Sequence, residues 1–210
     1  MSTVDVEDVL AHAREHGTGA LDGDPGLRQQ ARASLKQRGY RVPPAERPTF
    51  ETAMWMELEE TAHLLTALAD VEGLARKSAP ETVFHLISAL REEVDQAQQR
   101  VLGLLALLHP PALVAQVRAG LAGPDDQHAI ALEVLEGLAP PRMRPMLTAA
   151  LEAAPPTEKL ARLNTHFPQP RLALPARLAE MLCEPPSNAA SALSGLRTAS
   201  NTAMRSLAGE

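Results

Sequence analysis

The sequence predicts an all-α protein, built as a solenoid of stacked antiparallel helical hairpins. Aromatic residues make up 2% of the chain, so the core must consist mainly of Leu, Ala, Val and Met, which helices accommodate well. No segment shows the period-two alternation of β-branched and aromatic residues that is typical of strands. Pairs of prolines also recur at a fixed interval in the second half of the chain, as in proteins made of repeated helical units.

The composition indicates an ordered, globular chain. Of the 210 residues, 45% are hydrophobic and 22% are charged, a balance typical of folded proteins. The single cysteine, Cys183, cannot form an internal disulfide bond. Residues 1–20 lack the apolar stretch of a signal peptide, and no apolar run reaches the ~18 residues of a membrane span. We therefore expect a cytoplasmic protein without membrane insertion.

Prolines and apolar patterning divide the chain into four segments. Residues 1–39 are predicted to form an N-terminal helical pair, in which the second helix begins after Asp24. Residues 40–49 contain three prolines and are predicted to be a linker, because proline cannot sustain a helix interior. Residues 50–109 are predicted to form a long antiparallel hairpin, and residues 110–210 are predicted to form repeats.

The long hairpin is predicted from two apolar stripes at helical spacing. Its first helix should begin at Phe50, and its second should follow a capping box that runs from Ser78 to Glu81. A turn this short makes the two helices antiparallel. The expected buried residues are Met54, Leu58, Thr61, Leu65, Leu68 and Val71 in the first helix, and Val83, Ile87, Leu90, Val94, Ala97, Val101, Leu104 and Leu108 in the second.

The repeats are predicted from proline pairs that recur after 30 residues: Pro110-Pro111 with Pro140-Pro141, and Pro155-Pro156 with Pro185-Pro186. We expect three hairpins in residues 110–200 whose equivalent helices stack in parallel layers. A candidate N-cap stands near the start of each second helix, at Asp125 or Asp126, Thr157 and Ser187. The same offset aligns Leu113 with Met143, Val117 with Leu147, Ala119 with Ala149, Leu121 with Leu151, Ile130 with Leu160 and Ala131 with Ala161.

Two stretches, Arg100 to Pro110 and Ala129 to Leu138, carry a family resemblance. Their sequences, RVLGLLALLHP and AIALEVLEGL, resemble bacterial HEAT-like repeats, including those attached to carrier-type membrane proteins, over roughly residues 55–155. The resemblance implies a right-handed helical solenoid that acts as an interaction or regulatory module. It implies no catalytic residues.

Charge and exposed apolar residues favour a protein partner. The excess of acidic residues lies in 1–109, with 17 acidic against 11 basic residues, and such a surface repels phosphate groups. Trp55 and Met56 fall off the apolar stripe of their helix and are candidate partner anchors. The partner-binding candidates are Trp55, Met56, Arg142, Arg144 and Arg162. We therefore expect a non-enzymatic scaffold or adaptor that binds its partner along a groove of the helical repeat.

The alternative is a helical repeat that binds nucleic acid through a basic face around residues 142–177. Counterion release from phosphates requires clustered Lys and Arg. The side chains that would have to converge on one concave face are Arg118, Arg142, Arg144, Lys159, Arg162, Arg171 and Arg177.

Glu57 is predicted to have a structural role. It lies between Leu64 and Leu68 on the helical wheel, on the apolar side of its helix, where an unpaired carboxylate would be costly. We expect an ion pair with Arg91 or Arg100 in the next helix, Arg100 being the partner assigned.

Candidate metal and catalytic sites have simpler explanations. His12 and His16 provide two ligands on one helix, fewer than a zinc site requires. The Glu60-x-x-His63 element has no second copy, which a di-iron bundle would need. Cys183 lies in an apolar helical stretch with no basic neighbour to activate it. We therefore predict no catalytic residues, no metal and no cofactor.

Overall fold

The computed structural model describes residues 40–75, 81–173, 176–177 and 181. Over these residues the chain forms helices and no strand, which confirms the all-α prediction. The predictions made for residues 1–39, for the cap at Ser78, for Cys183 and for most of the third hairpin fall outside the described residues. The helices are α1 (Arg47–Ala75), α2 (Glu81–Leu108), α3 (Pro111–Leu121), α4 (Asp125–Leu138), α5 (Arg144–Leu151) and α6 (Pro156–Leu163).

Helix α1 begins at Arg47, three residues before the predicted start at Phe50. The earlier start is possible because Pro48 lies in the first turn, where helical amides have no intrahelical acceptor and a missing N–H costs nothing. The amides of Thr49 and Phe50 both donate to the carbonyl oxygen of Glu46, at 3.0 and 3.4 Å. The proline that was expected to exclude a helix therefore lies in its first turn.

The segment that precedes α1 is packed against the end of α2. Val42 is buried, and its amide donates to the carbonyl oxygen of Leu107 at 3.2 Å. The Nη1 atom of Arg41 donates to the carbonyl oxygen of His109 at 2.5 Å. Because the last carbonyls of a helix have no intrahelical donors, these two bonds satisfy acceptors that α2 leaves open.

The apolar stripes predicted for α1 and α2 are buried throughout, from Met54 to Val71 and from Val83 to Leu108. Ion pairs join the two helices: Glu57 of α1 to Arg100 of α2, and Glu72 of α1 to Arg91 of α2. An early residue of α1 thus meets a late residue of α2, and a late residue of α1 meets an earlier one of α2. This order is the one that an antiparallel pair of helices requires.

Contacts divide the chain into two compact units, Met1–Glu60 with Ala97–Ala153, and Thr61–Gln96 with Ala154–Glu210. We call these the first and the second unit. Each contains part of both long helices. In the first unit, Gln98 of α2 donates from Nε2 to the carbonyl oxygen of Ala150 in α5 at 2.7 Å, so a polar side chain fixes the end of α5 on α2.

Helices α3 and α4 of the first unit pack closely at Gly120. A Cβ atom there would lie 2.7 Å from the Cβ of Ala131 and 3.0 Å from the carbonyl oxygen of Gln127. The ring of His128 adds a polar link: its Nδ1 lies 3.0 Å from the carbonyl oxygen of Leu121, and its Nε2 accepts the amide of Ala153 at 2.9 Å. Both bonds are satisfied only when the imidazole is neutral and carries its proton on Nδ1.

The second unit centres on the later part of α1, where nearly every side chain from Thr61 to Val71 is buried. Asp70, 7% exposed in this apolar surrounding, accepts hydrogen bonds from Arg171, Arg177 and the amide of Leu172. Arg177 is 1% exposed and also donates to the carbonyl oxygen of Pro170. One carboxylate therefore holds Arg171, Leu172 and Arg177 against α1.

The predicted N-caps of α4 and α6 are wrong. The cap residues are Pro124 and Pro155, and neither makes a side-chain capping bond. Asp125 is the first residue of α4, and Thr157 is the second residue of α6. In α6, Pro156 occupies the first helical position and disfavours the helical conformation in Pro155 before it; in α4, Pro124 has an extended backbone that suits a cap residue. The acidic residues Asp125 and Asp126 stabilise α4 instead through the positive end of its dipole.

The 30-residue register does not carry over to burial. Val117 and Leu147 are both buried. In each of the other five aligned pairs one residue is more exposed than the other, as with exposed Ile130 and buried Leu160. Helix α3 begins at Pro111, within its proline pair, whereas α5 begins at Arg144, three residues after Pro141. The proline spacing therefore does not fix which residues of the two segments are equivalent.

In the part of the chain that the structure describes, no helix has both the length and the apolar character needed to cross a membrane.

Candidate functional site

Trp55 and Met56 lie on the outer side of α1 in the first unit. They follow Met54, which is fully buried, and at about 100° per residue they turn away from the core. Trp55 is 37% exposed and Met56 is 42% exposed. Large apolar side chains with this exposure suit contact with a partner.

The arginines predicted to contact a partner divide between the two units. Arg142 and Arg144 lie beside each other at the start of α5 in the first unit, and both are exposed. Arg144 donates from Nε to the carbonyl oxygen of Ala139 at 3.3 Å. Arg162 is an exposed residue of α6 and belongs to the second unit.

Arg171 and Arg177, which were named for nucleic-acid binding, both donate to the buried carboxylate of Asp70. Arg171 donates to Asp70 at 2.6 Å, and Arg177 donates to the same carboxylate at 2.9 Å. Since Arg177 is 1% exposed, it cannot reach a phosphate group without unfolding its surroundings.

Glu57 lies in the pair that its position on the helical wheel suggested. Arg100 donates from Nε to Oε2 of Glu57 at 2.7 Å, and the two side chains are 6% and 4% exposed. The other candidate, Arg91, pairs with Glu72. This buried pair joins α1 to α2 within the first unit and is not accessible to a ligand.

An open apolar groove runs along α3 and was not identified from the sequence. Its volume is about 340 Å³. Ala106 of α2 and Val114 are buried at its floor, and exposed residues form its rim. The lining residues are Ala106, Pro111, Val114, Ala115, Arg118, Ala119 and Ala122. The alanines at helical spacing in α3 could have indicated a groove, but alanine also occurs in buried helix faces, so the pattern does not distinguish the two.

Among the described residues that line this groove, Arg118 is the only charged one. Its side chain is partly buried, and its Nε atom is buried without a hydrogen-bond partner among the described residues. A buried donor without a partner costs about 1–3 kcal/mol. The groove therefore combines an apolar surface with one guanidinium group whose buried Nε–H has no acceptor among the described residues.

His109, between α2 and α3, has a pKa below the ordinary value of 6.5. Burial of the imidazole is the main cause, and the positive charge of Arg47 acts in the same direction. A hydrogen bond with the backbone of Leu138 opposes them. His109 is therefore neutral at a pH where an exposed histidine is partly charged.

Among the residues that the structure describes, including Glu60 and His63, no group of three or more His, Cys, Asp or Glu side chains is placed to hold a metal ion. His12 and His16 lie outside those residues.

Neither a protein-family model nor a curated protein nor a solved structure matches this chain.

Proposed function

We propose that this protein is a non-enzymatic scaffold or adaptor of the HEAT-like helical-repeat kind, which binds another protein along the α3 groove. The observation that carries the proposal is the groove itself, an open apolar surface on a helix of the first unit. Apolar area that is exposed in the free protein lowers the free energy of association when a partner covers it.

Exposed anchors elsewhere in the first unit support the proposal. Besides Trp55 and Met56, the exposed large apolar residues include Leu113 on α3 and Ile130 on α4, which are 37% and 61% exposed. Binding energy in protein interfaces is concentrated in a few large side chains of this type. Arg142 and Arg144 of the first unit are proposed as polar contacts at the edge of the interface, where charges influence the rate of association more than the affinity.

The chemistry of the groove supports binding over catalysis. Apart from Arg118, its lining residues are Ala, Val and Pro, and none of these can serve as a nucleophile or a general base. An apolar surface of a partner protein can pack against such a lining, whereas a reaction would need nucleophilic or acid–base groups.

A photocrosslinking amino acid at Ala119 tests the proposal in cells of the source organism. We expect one protein to crosslink at Ala119, and the same protein to crosslink at Trp55. Gln116 is the matched control, because it is exposed on α3 but does not line the groove. The same yield of the same product from position 116 would contradict binding in the groove.

The crosslinked protein is then purified and titrated against wild type, Ala119→Trp and Gln116→Trp. Tryptophan at position 119 fills the groove, so we expect at least about tenfold weaker binding, which corresponds to about 1.4 kcal/mol. Gln116→Trp should stay within about twofold of wild type. Equal affinities for all three proteins would overturn the proposal.

A further inference from the structure

The rim of the groove follows one face of α3. Pro111, Ala115, Ala119 and Ala122 are spaced by four, four and three residues, so they lie above one another along the helix. The 11 residues of α3 extend over about 16 Å at 1.5 Å per residue. The groove is thus an elongated strip, with a length that matches about three turns of a second helix.

The side chains of the strip favour a helix as the occupant. Alanine presents only a Cβ atom, which lets a second helix approach closely and lets its larger side chains fill the spaces between neighbouring rim residues. The buried floor, Ala106 and Val114, supplies apolar contact along the middle of the strip. Leucine-sized side chains at helical spacing would therefore fit against it.

Arg118 adds a requirement for charge. Its Nε–H is buried and has no hydrogen-bond acceptor among the described residues, and the side chain lines the groove. Arginine forms its strongest contacts with carboxylates, which accept two of its N–H groups together. An acidic side chain on the occupant would compensate this charge in surroundings that water reaches only partly.

A second copy of this chain does not meet that requirement through α3. The sequence of α3, PALVAQVRAGL, contains Arg118 and no acidic residue. In a symmetric contact each residue faces its own equivalents or their neighbours, so two α3 helices would bring two arginines together. Like charges in a partly buried contact are unfavourable.

We propose that the α3 groove binds an amphipathic helix of a different protein, which places a Glu or Asp side chain against Arg118. This inference rests on the proposed function and specifies the chemistry of the partner. The helix presents apolar residues at i, i+3, i+4 and i+7 to the alanine strip, and its carboxylate lies beside them at the position of Arg118.

A display library of helical peptides tests this inference on the full chain. The peptides carry leucine at i, i+4 and i+7, and their remaining positions are random. We expect the selected sequences to share one acidic position. Replacing that residue with its amide should weaken binding by at least about tenfold, as loss of a charged partner does at a partly buried site.

Variants of the chain then locate the acidic residue. Arg118→Gln should weaken binding of the selected peptide by at least about tenfold, and it should remove the difference between acid and amide peptides. Arg118→Lys should restore part of the affinity. Arg47→Gln, which removes an exposed charge outside the groove, should stay within about twofold of wild type. Circular dichroism shows whether each variant is folded, and Ala119→Trp tests the groove with Arg118 intact.

The outcomes separate this inference from the proposed function. If selected peptides need no acidic residue but lose affinity on Ala119→Trp, the groove binds protein and the role of Arg118 is overturned. If they bind Ala119→Trp as tightly as wild type, both proposals fail. Dimerisation in sedimentation that Ala119→Trp abolishes would identify a second copy as the occupant and overturn the inference.

Discussion

The carboxylate of Glu57 and the guanidinium of Arg100 are almost completely removed from water, with exposed fractions of 4% and 6%. Such a pair gains little net stability, because the desolvation of two charges offsets their attraction. Its importance appears when one partner is removed, since the other charge is then buried alone. The pair therefore fixes where α1 and α2 meet in the first unit more than it adds to the free energy of unfolding.

Replacing Glu57 with alanine should lower the free energy of unfolding by about 3 kcal/mol or more, because Arg100 keeps its charge in a buried position. Urea denaturation followed by circular dichroism measures the change. Glu59→Ala is the matched control, since Glu59 is exposed two residues further along α1, and it should change stability by less than about 0.5 kcal/mol. The double variant Glu57→Leu, Arg100→Met should recover much of the loss. A Glu57→Ala protein as stable as wild type would contradict a buried pair.

The lowered pKa of His109 makes the stability of the protein depend on pH. Above its ordinary value of 6.5, His109 is neutral in both the folded and the unfolded state, and the full stability is present. As pH falls below that value, the unfolded chain binds the proton first, so stability decreases until the folded state is protonated as well. His109→Asn should remove the part of the pH dependence that sets in as the pH falls through 6.5.

The free energy of unfolding is measured for wild type and for His109→Asn over a range of pH. Subtracting one from the other removes the contributions of the other histidines, which both proteins share. An NMR titration of the His109 ring gives its pKa directly. Arg47→Gln removes the neighbouring positive charge and should move that pKa upward. A flat difference between wild type and His109→Asn, or a ring pKa above 6.5, would contradict the effect of burial.

At the scale of helices, the contact between α3 and α4 depends on the absence of a side chain at Gly120. The calculated distance of 2.7 Å from a Cβ atom to that of Ala131 is shorter than carbon atoms tolerate. The two atoms in the way are the Cβ of Ala131 and the backbone carbonyl oxygen of Gln127, so relief requires the backbones to separate.

Gly120→Ala should therefore destabilise the protein by about 1–3 kcal/mol, as overpacking of a helix contact does. Gly137→Ala in α4 is the matched control, because a Cβ there meets nothing within 4 Å. That change should be neutral or stabilising by up to about 1 kcal/mol, since alanine is the better helix former. Both values come from chemical denaturation. If the two variants have the same stability, the approach of α3 to α4 is looser than described.

At the scale of the whole molecule, the distribution of charge favours a protein partner over nucleic acid. The chain carries a net charge of −6, and Arg171 and Arg177 from its more basic half are bound to Asp70. Fewer cations are thus available to release counterions from a phosphate backbone. Of the other arginines that the structure describes in this half, Arg142, Arg144 and Arg162 are exposed, and Arg118 is partly buried.

We expect duplex DNA to bind no tighter than about 10 μM at physiological salt, within the ordinary range of non-specific binding. Fluorescence anisotropy with a labelled duplex over a series of salt concentrations measures this. Sub-micromolar affinity that falls steeply with salt, and that is lost in the variant with Arg142→Glu and Arg144→Glu, would make nucleic acid the better assignment.

The sequence alone determined the helical class, the extents of α1 and α2 to within a few residues, and the residues of their buried stripes. These features follow from local patterns: a period of 3.6 residues places apolar side chains on one face, and prolines interrupt it. The choice of Glu57 as a residue in need of a partner also follows from periodicity, because the helical wheel places it among leucines.

Only the tertiary structure decided which residues surround the groove and which charges lack a partner. Seen along the sequence, Arg118 resembles Arg177, yet one lines an open groove and the other is buried against Asp70. Ala119 and Ala149 were aligned by the proline spacing, yet one is exposed and the other is buried. A sequence pattern fixes the faces of a helix, whereas burial and ion pairing depend on which other helices cover those faces, and contacts between residues far apart in the chain set that arrangement.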